Sequence, residues 1–162
     1  MEAGCPHPAR HMHVPHLQSF RQQPLVFITT CTAGRRPLLA ENEAKEILES
    51  IWTKSGEIDG WFVGCYLLMP DHVHLFARSG MGAKPLAAWM KSWKSISARQ
   101  IAVACRAETP IWQADYFDHF VRSADSYRQK WDYVQDNPVR KGLCLRSSDW
   151  VFQGTIHELR FK

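Results

Sequence analysis

Two histidines, His72 and His74, stand two residues apart in an apolar segment of this chain. Side chains two positions apart on a β-strand point to the same face of its sheet, so both imidazoles would project together with Phe76 beside them. Neighbouring neutral imidazoles are suitable ligands for a divalent metal ion. The pattern is weak alone, because paired histidines also occur facing solvent or hydrogen-bonded inside a core. A second copy, His11 and His13, lies in a proline-broken stretch with no strand to hold it.

A tyrosine and an asparagine near the end of a later helical segment offer complementary chemistry. Tyr127, Trp131 and Val134 follow the i, i+4, i+7 spacing of a buried stripe, whereas Tyr133 and Asn137 share one sector well away from it. A tyrosine hydroxyl with its ordinary pKa of about 10 is a weak nucleophile, and it becomes useful where a metal ion polarises the electrophile. The side-chain carbonyl of Asn137 can bind such an ion. That Asn137 only caps the helix remains an open alternative.

These residues must be positioned by strands and helices, and the order of the predicted strands and helices indicates an α+β fold. Apolar, β-branched and aromatic runs predict strands at 25–32, 61–69, 72–77 and 116–122. Helical periodicity predicts helices at 41–55, at 84–104, and from an N-cap at Ser123 to Asp136 or Asn137, where Pro138 ends the helix. The first six elements match a ferredoxin-like or RRM-like split βαβ arrangement. This arrangement is an antiparallel sheet with helices on one face, here followed by an added C-terminal helix that carries Tyr133.

The length of 162 residues predicts one domain. We expect a flexible N-terminal extension at 1–23, the folded domain at 24–150 and a C-terminal tail at 151–162. A composition of 45% hydrophobic and 22% charged residues excludes a largely disordered chain. The longest apolar run, 61–70, is too short to cross a membrane, and the N-terminus lacks the apolar region of a secretory signal. We therefore expect a cytoplasmic protein without a membrane partner.

Four segments together resemble a known family. YLLMPDHVHLF at 66–76 resembles the His-hydrophobe-His strand of the HUH single-strand nucleases, and WDYVQDNPVRKGL at 131–143 is similar to the nucleophile helix of their small tyrosine transposases. MKSWKSISARQI at 90–101 and IWQADYFDHFVRS at 111–123 resemble the segments that connect these motifs. The combined pattern is most similar to the REP-associated tyrosine transposases, which are single-domain bacterial proteins tied to short palindromic chromosomal repeats.

The resemblance implies a mechanism. His72 and His74 would hold Mg²⁺ or Mn²⁺, with Asn137 as third ligand where relatives can carry a glutamine. Tyr133 would attack the scissile phosphate of single-stranded DNA, giving a 5′-phosphotyrosine and a free 3′-OH. A 3′-OH from another strand could reverse this step. The resemblance thus implies a metal-dependent single-strand DNA endonuclease and strand transferase acting at REP hairpins, as a monomer or homodimer associated with the bacterial nucleoid.

The distribution of charge favours a nucleic-acid partner. The net charge is only +4, but residues 84–106 contain five bases and no acid, whereas residues 41–59 contain six acids and two bases. The residues predicted to contact DNA phosphates are Arg35, Arg36, Lys91, Lys94, Arg99, Arg122, Arg140 and Lys141. Trp112 and Phe117 could stack on unpaired bases, as aromatic residues do in single-strand binders. The alternative for each cation is an ordinary solvated charge, and for both aromatic residues a place in the core.

Two other functions fit the same residues. The protein could be a transposase that mobilises its own insertion element, with identical catalytic groups. It could also be a ferredoxin-like module that binds DNA or RNA hairpins without cutting them. The joint placement of His72, His74 and Tyr133 argues against the second alternative, because binding alone does not require those three residue types.

Overall fold

The strands form a single antiparallel sheet in the computed structural model, which describes residues 23–160. In chain order the strands are β1 (Leu25–Cys31), β2 (Trp61–Leu68), β3 (His72–Ser79), β4 (Phe117–Val121) and β5 (Gln153–Thr155). The helices are α1 (Asn42–Ile58), α2 (Leu86–Ala104), α3 (Ala124–Gln135) and α4 (Asn137–Arg140). The strand order is β4-β1-β3-β2-β5. Its first four strands have the order of a ferredoxin-like sheet, so the predicted α+β fold is confirmed.

Both faces of the central strands are buried, and each face packs against different helices. On one face Val26 and Leu75 join the apolar side chains of α1 and α2, including Trp52 and Trp89, in one core cluster. On the other face a second cluster packs against α3. The prediction that helices cover one face therefore describes α1 and α2, whereas the added helix α3 covers the opposite face. A residue's position along β1 or β3 thus decides which helix layer it meets.

The predicted elements are all present, with small shifts at their ends. Helix α2 begins at Leu86, two residues later than predicted, because the residue before Pro85 is disfavoured in the α region. Ser123 is the predicted N-cap of α3, and its side chain accepts a hydrogen bond from the backbone N–H of Ser126. The predicted N-terminal extension, apart from Gln23, lies outside the described residues. Among the helices within residues 23–160, none has the length and apolar character needed to cross a bilayer.

The C-terminal segment at 151–162 is more than a tail, because part of it extends the sheet. Strand β5 pairs antiparallel with β2, and Gly154 lies opposite Tyr66. A Cβ added at Gly154 would lie 2.9 Å from the Tyr66 hydroxyl oxygen, so glycine permits this close approach. A three-residue strand containing glycine has no alternation from which it could be predicted.

Two residues predicted to contact DNA lie inside the fold. Lys94 is only 8% exposed, and its Nζ donates hydrogen bonds to the backbone carbonyls of Gln113 at 2.6 Å and Ala114 at 3.3 Å. Trp112 is 6% exposed, and its Nε1 donates to Ser97 Oγ at 2.9 Å. Buried side chains with these partners cannot reach DNA from the surface of this structure. Lys94 and Trp112 instead attach the segment before β4 to α2.

We expect Lys94→Met to destabilise the fold. The substitution removes the hydrogen bonds from the charged Nζ to the carbonyls of Gln113 and Ala114, which costs about 1–3 kcal/mol in the free energy of unfolding. The matched control is Lys91→Met, because Lys91 is an exposed lysine on the same helix and its replacement should change stability by less than about 0.5 kcal/mol. Urea denaturation of both variants measures the difference. Equal stability of the two variants would show that the buried contacts of Lys94 do not support the fold.

Candidate active site

The two histidines of β3 lie on the face of the sheet that packs against α3. Through the antiparallel pairing with β1, His72 lies opposite Cys31 and His74 opposite Thr29. The Nε2 atoms of the two imidazoles are 3.1 Å apart, and the rings meet edge to face. Two nitrogens bound at about 2.1 Å and at right angles to one ion would be about 3 Å apart. The spacing of the two Nε2 atoms therefore fits a shared divalent metal ion.

A chain of hydrogen bonds orients His72. Its Nδ1 is 2.7 Å from Asp71 Oδ1, and Arg35 Nε donates to Asp71 Oδ2 at 2.9 Å. Partial burial acts to raise the pKa of Asp71, but its bonds to His72 and Arg35 outweigh burial and hold the pKa below its usual value. An ionised carboxylate only accepts hydrogen bonds, so Nδ1 of His72 carries the proton. Nε2 then presents its lone pair towards His74, as metal ligation requires.

His74 is held by different partners, but its Nε2 atom also faces the site. Its Nδ1 is 2.7 Å from Thr29 Oγ1, and its ring stacks on Phe27 with centroids 5.5 Å apart. Burial, followed by the nearby charges of His72 and Lys130, lowers the pKa of His74 to about 3. Burial also lowers the pKa of His72, although Asp71 opposes the shift. Both imidazoles are therefore neutral at pH 7, which is the state that binds metals.

Asn137 brings a third polar group to the histidines. Helix α3 ends at Gln135, one or two residues before the predicted end at Asp136 or Asn137, and Asn137 is the first residue of the short helix α4. Its amide Nδ2 lies 3.3 Å from His72 Nε2 and 3.5 Å from His74 Nε2. A half-turn of the amide puts Oδ1 in the same place, so Asn137 can offer an oxygen ligand.

The donor set of this site is two imidazole nitrogens and one amide oxygen. Among residues 23–160 there is no group of three or more His, Cys, Asp and Glu side chains that could hold a metal. A site with so few protein ligands leaves positions for water and for phosphate oxygens. Mg²⁺ keeps several waters and binds substrate phosphates in this way, and Mn²⁺ accepts imidazole as well as oxygen. The residues present therefore fit either ion.

Tyr133 stands on the helix that covers this face of the sheet. Tyr127 and Trp131 anchor α3 by packing edge to face on Phe76, with ring centroids 4.5 and 6.1 Å apart. Tyr133 points away from that packing and is 66% exposed, and the guanidinium carbon of Arg140 lies 4.0 Å from the centre of its ring. Its placement off the buried stripe matches the prediction from helical spacing. An exposed tyrosine on this helix is accessible to a large substrate.

Cations surround the two histidines. Arg35, Lys130, Arg140 and Lys141 all lie near enough to lower the pKa of one imidazole or both. Three of these four were predicted to contact phosphate, whereas Lys130 was missed although it stands one helical turn before Tyr133. Asp71 and Thr29 were also missed. Asp71 directly precedes His72 in the sequence, but Thr29 is revealed only by the pairing of β1 with β3.

The other predicted DNA contacts lie elsewhere. Arg36 is half-buried, and its guanidinium donates to the backbone carbonyls of Ala33, Glu108 and Pro110, which gives it a structural role. Lys91 and Arg99 are exposed on α2, in the layer on the other side of the sheet.

Arg122 is also distant from the histidines. It directly follows Val121, which pairs with Leu25 at the end of β1 far from His72. The structure therefore gathers Arg35, Arg140 and Lys141 at the site and leaves Arg122 at the opposite end of the sheet.

We expect Asp71→Asn to lower the pKa of His72 further. The hydrogen bond and the charge of the Asp71 carboxylate raise this pKa against the effect of burial, and a neutral amide supplies no charge. NMR titration of the His72 ring resonances measures the change. The matched control is Asp118→Asn, because Asp118 lies on β4 opposite Ile28 and faces the other helix layer. An unchanged or raised pKa in the Asp71 variant would contradict the orientation derived for His72.

The chain is similar in sequence to a transposase family and to two curated proteins. The model of the family described as Transposase IS200 like matches residues 23–137. The REP-associated tyrosine transposase of Escherichia coli strain K12 is 32% identical over 101 residues, which are 62% of this chain and 54% of that protein. A protein of Haemophilus influenzae Rd that is provisionally described in the same way is 27% identical over 102 residues. These residues are 57% of this chain and 58% of that protein. The chain thus matches little more than half the length of these curated relatives.

A solved structure shares the fold. The structure of a REP-associated tyrosine transposase bound to a REP hairpin aligns with a TM-score of 0.64 and 24% identity, over 80% of this chain and 75% of that one. At this identity the likeness establishes the fold. The family match covers most of the described residues, including the two histidines, Tyr133 and Asn137. This chain belongs to the IS200-like transposase family.

Proposed function

We propose that this protein is a metal-dependent endonuclease and strand transferase of single-stranded DNA that acts at palindromic repeat hairpins. The observation that carries the proposal is the convergence of His72 Nε2, His74 Nε2 and the Asn137 amide within 3.5 Å of one another. Tyr133 lies exposed on the helix packed over the same face of the sheet. A domain that only bound DNA would need neither this ligand set nor an accessible tyrosine on the helix that covers this face.

Mg²⁺ or Mn²⁺ is the proposed cofactor, held by His72, His74 and Asn137. When bound, the ion would neutralise charge on a non-bridging oxygen of the scissile phosphate. Asp71 holds the proton of His72 on Nδ1 and so directs the Nε2 lone pair of His72 into the site. Thr29 Oγ1 can accept the Nδ1 proton of His74, and in that tautomer the Nε2 lone pair of His74 also faces the site. The hydrogen-bond partner of the ring nitrogen that does not bind the metal sets the orientation of a metal-binding histidine, so these two residues belong to the proposed centre.

Tyr133 is the proposed nucleophile. Its hydroxyl oxygen forms a bond to phosphorus as the phosphorus–O3′ bond breaks, the phenolic proton is lost to solvent, and the departing 3′ oxygen gains a proton. The product is a 5′-phosphotyrosine with a free 3′-OH. Attack by another 3′-OH forms a new phosphodiester and restores the tyrosine. One phosphate ester replaces another in each step, so strand transfer needs no ATP.

The proposed substrate follows from the charge around the site and from the relatives. The site has a positively charged rim suited to the phosphates on either side of the cleaved bond. The rim is formed by Arg35, Lys130, Arg140 and Lys141. The curated relatives are described as REP-associated, and the structural neighbour is bound to a REP hairpin. We accordingly propose a hairpin of a palindromic repeat as substrate and a nucleoid-associated location in a bacterial cytoplasm. A protein that mobilises its own element would use the same residues.

We expect wild-type protein with Mn²⁺ to cleave a labelled hairpin oligonucleotide and to leave a protein–DNA adduct on a denaturing gel. Tyr133→Phe should remove the adduct and reduce cleavage by at least about 10³-fold, because no other group supplies the attacking oxygen. Chelation by EDTA should abolish both products in the wild type.

Tyr116→Phe is the matched control, because Tyr116 lies just before β4 with its ring 5.9 Å from Lys94 Nζ and takes no part in the proposed site. This variant should cleave as the wild type does. Cleavage that persists in Tyr133→Phe would mean that water is the nucleophile and would overturn the proposed mechanism.

A further inference from the structure

An exposed aromatic side chain lies on the same face of the sheet as the two histidines. Phe117, the first residue of β4, is 58% exposed. It pairs with Thr29 of β1, and Thr29 pairs with His74 of β3, so the three residues form one row across the sheet. Directly paired residues of antiparallel strands point to the same face. Phe117 is therefore in line with the proposed metal ligands.

The next row of paired residues also has an exposed ring on β4. His119 is exposed and pairs with Phe27, whose ring stacks on His74. Lys130 Nζ lies 5.0 Å from the centre of the Phe27 ring, which adds a positive charge beside these rings. The surface formed by Phe117 and His119 thus combines exposed rings with a nearby cation. Single-strand binding proteins use this combination, with bases on the rings and phosphates on the cations.

We infer that Phe117 is a stacking subsite for an unpaired base close to the scissile phosphate. The inference rests on the proposed function, because that function places the phosphate at His72 and His74. Two strand spacings separate Phe117 from His74, or about 10 Å. A stacked strand advances about 3.4 Å per nucleotide, so the subsite would take a base within about three nucleotides of the cleaved bond. Its ligand is an unpaired nucleobase of the flank beside the hairpin.

The strand that carries Phe117 also supplies a control. Phe120 is 45% exposed and lies three residues later on β4, but it pairs with Val26 and faces the layer of α1 and α2. Removing either ring deletes the same apolar group from the same edge strand. Only Phe117 shares a face with the histidines. A difference between the two variants therefore reports position relative to the site, and not the general loss of an exposed phenylalanine.

The test uses hairpin oligonucleotides with 2-aminopurine, a base whose fluorescence falls on stacking, at successive unpaired flanking positions. Binding is measured in the Tyr133→Phe background so that no strand is cut. We expect one or two adjacent positions to be quenched by the parent protein. Phe117→Ala should remove that quenching and weaken affinity about 5- to 100-fold, whereas Phe120→Ala should change neither. Phe117→Trp should restore the quenching, and Phe117→Leu should not, because stacking needs a ring.

The failure of this inference and the failure of the proposed function give different results. If Phe117→Ala binds with unchanged quenching at every position while the parent cleaves normally, the subsite is wrong and the function stands. If Phe117-dependent quenching is found but the wild type forms no adduct, the subsite stands and the catalytic proposal falls. If the wild type neither binds nor cuts the hairpins, both are overturned. If Phe117→Ala dissociates a dimer in sedimentation without altering quenching, this surface joins two copies of the chain and is not a base subsite.

Discussion

The alternation of side chains along β3 is the constraint on which the site depends. Val73 and Leu75 point into the core shared with α1 and α2, so His72, His74 and Phe76 must point to the other face. A shift of one residue in the pairing with β1 would exchange the two sets and bury both imidazoles under α1 and α2. The apolar residues between the histidines thus fix the direction of the histidines. The geometry of the two imidazoles is a consequence of how the core packs.

The same face also determines where Tyr133, the proposed nucleophile, lies. Phe76 follows His72 and His74 along β3 and points to the same face. The rings of Tyr127 and Trp131 pack against Phe76 and so hold α3 on the sheet. Once α3 is seated, helical geometry turns Tyr133 away from the sheet, and the chain leaving α3 brings Asn137 to the histidines. This packing buries His72, partly buries His74 and keeps both imidazoles neutral, while Asp71 and Thr29 contact the ring nitrogens that face away from the site. The positions and protonation state of the imidazoles and the exposure of Tyr133 therefore come from one packing arrangement.

The features that periodicity specifies could be predicted from the sequence. The ferredoxin-like order of elements, the shared face of His72 and His74 and the position of Tyr133 off the buried stripe all follow from repeats of 2 and 3.6 residues. Features that depend on a distant partner could not be predicted. Lys94 looks like one of several cations on an acid-free helix until the carbonyls of Gln113 and Ala114 are placed beside it. Strand β5 is likewise too short for its own pattern and exists because it pairs with β2.

The central claim is that His72, His74 and Asn137 form one metal centre, and anomalous scattering from crystals grown with Mn²⁺ tests it most directly. We predict a single manganese peak bound by the Nε2 atoms of both histidines and by the amide oxygen of Asn137, with waters at its remaining positions. Asn137→Ala should keep the peak on the two histidines at reduced occupancy. No peak between the imidazoles at saturating Mn²⁺, or a peak bound elsewhere in the chain, would contradict the claim.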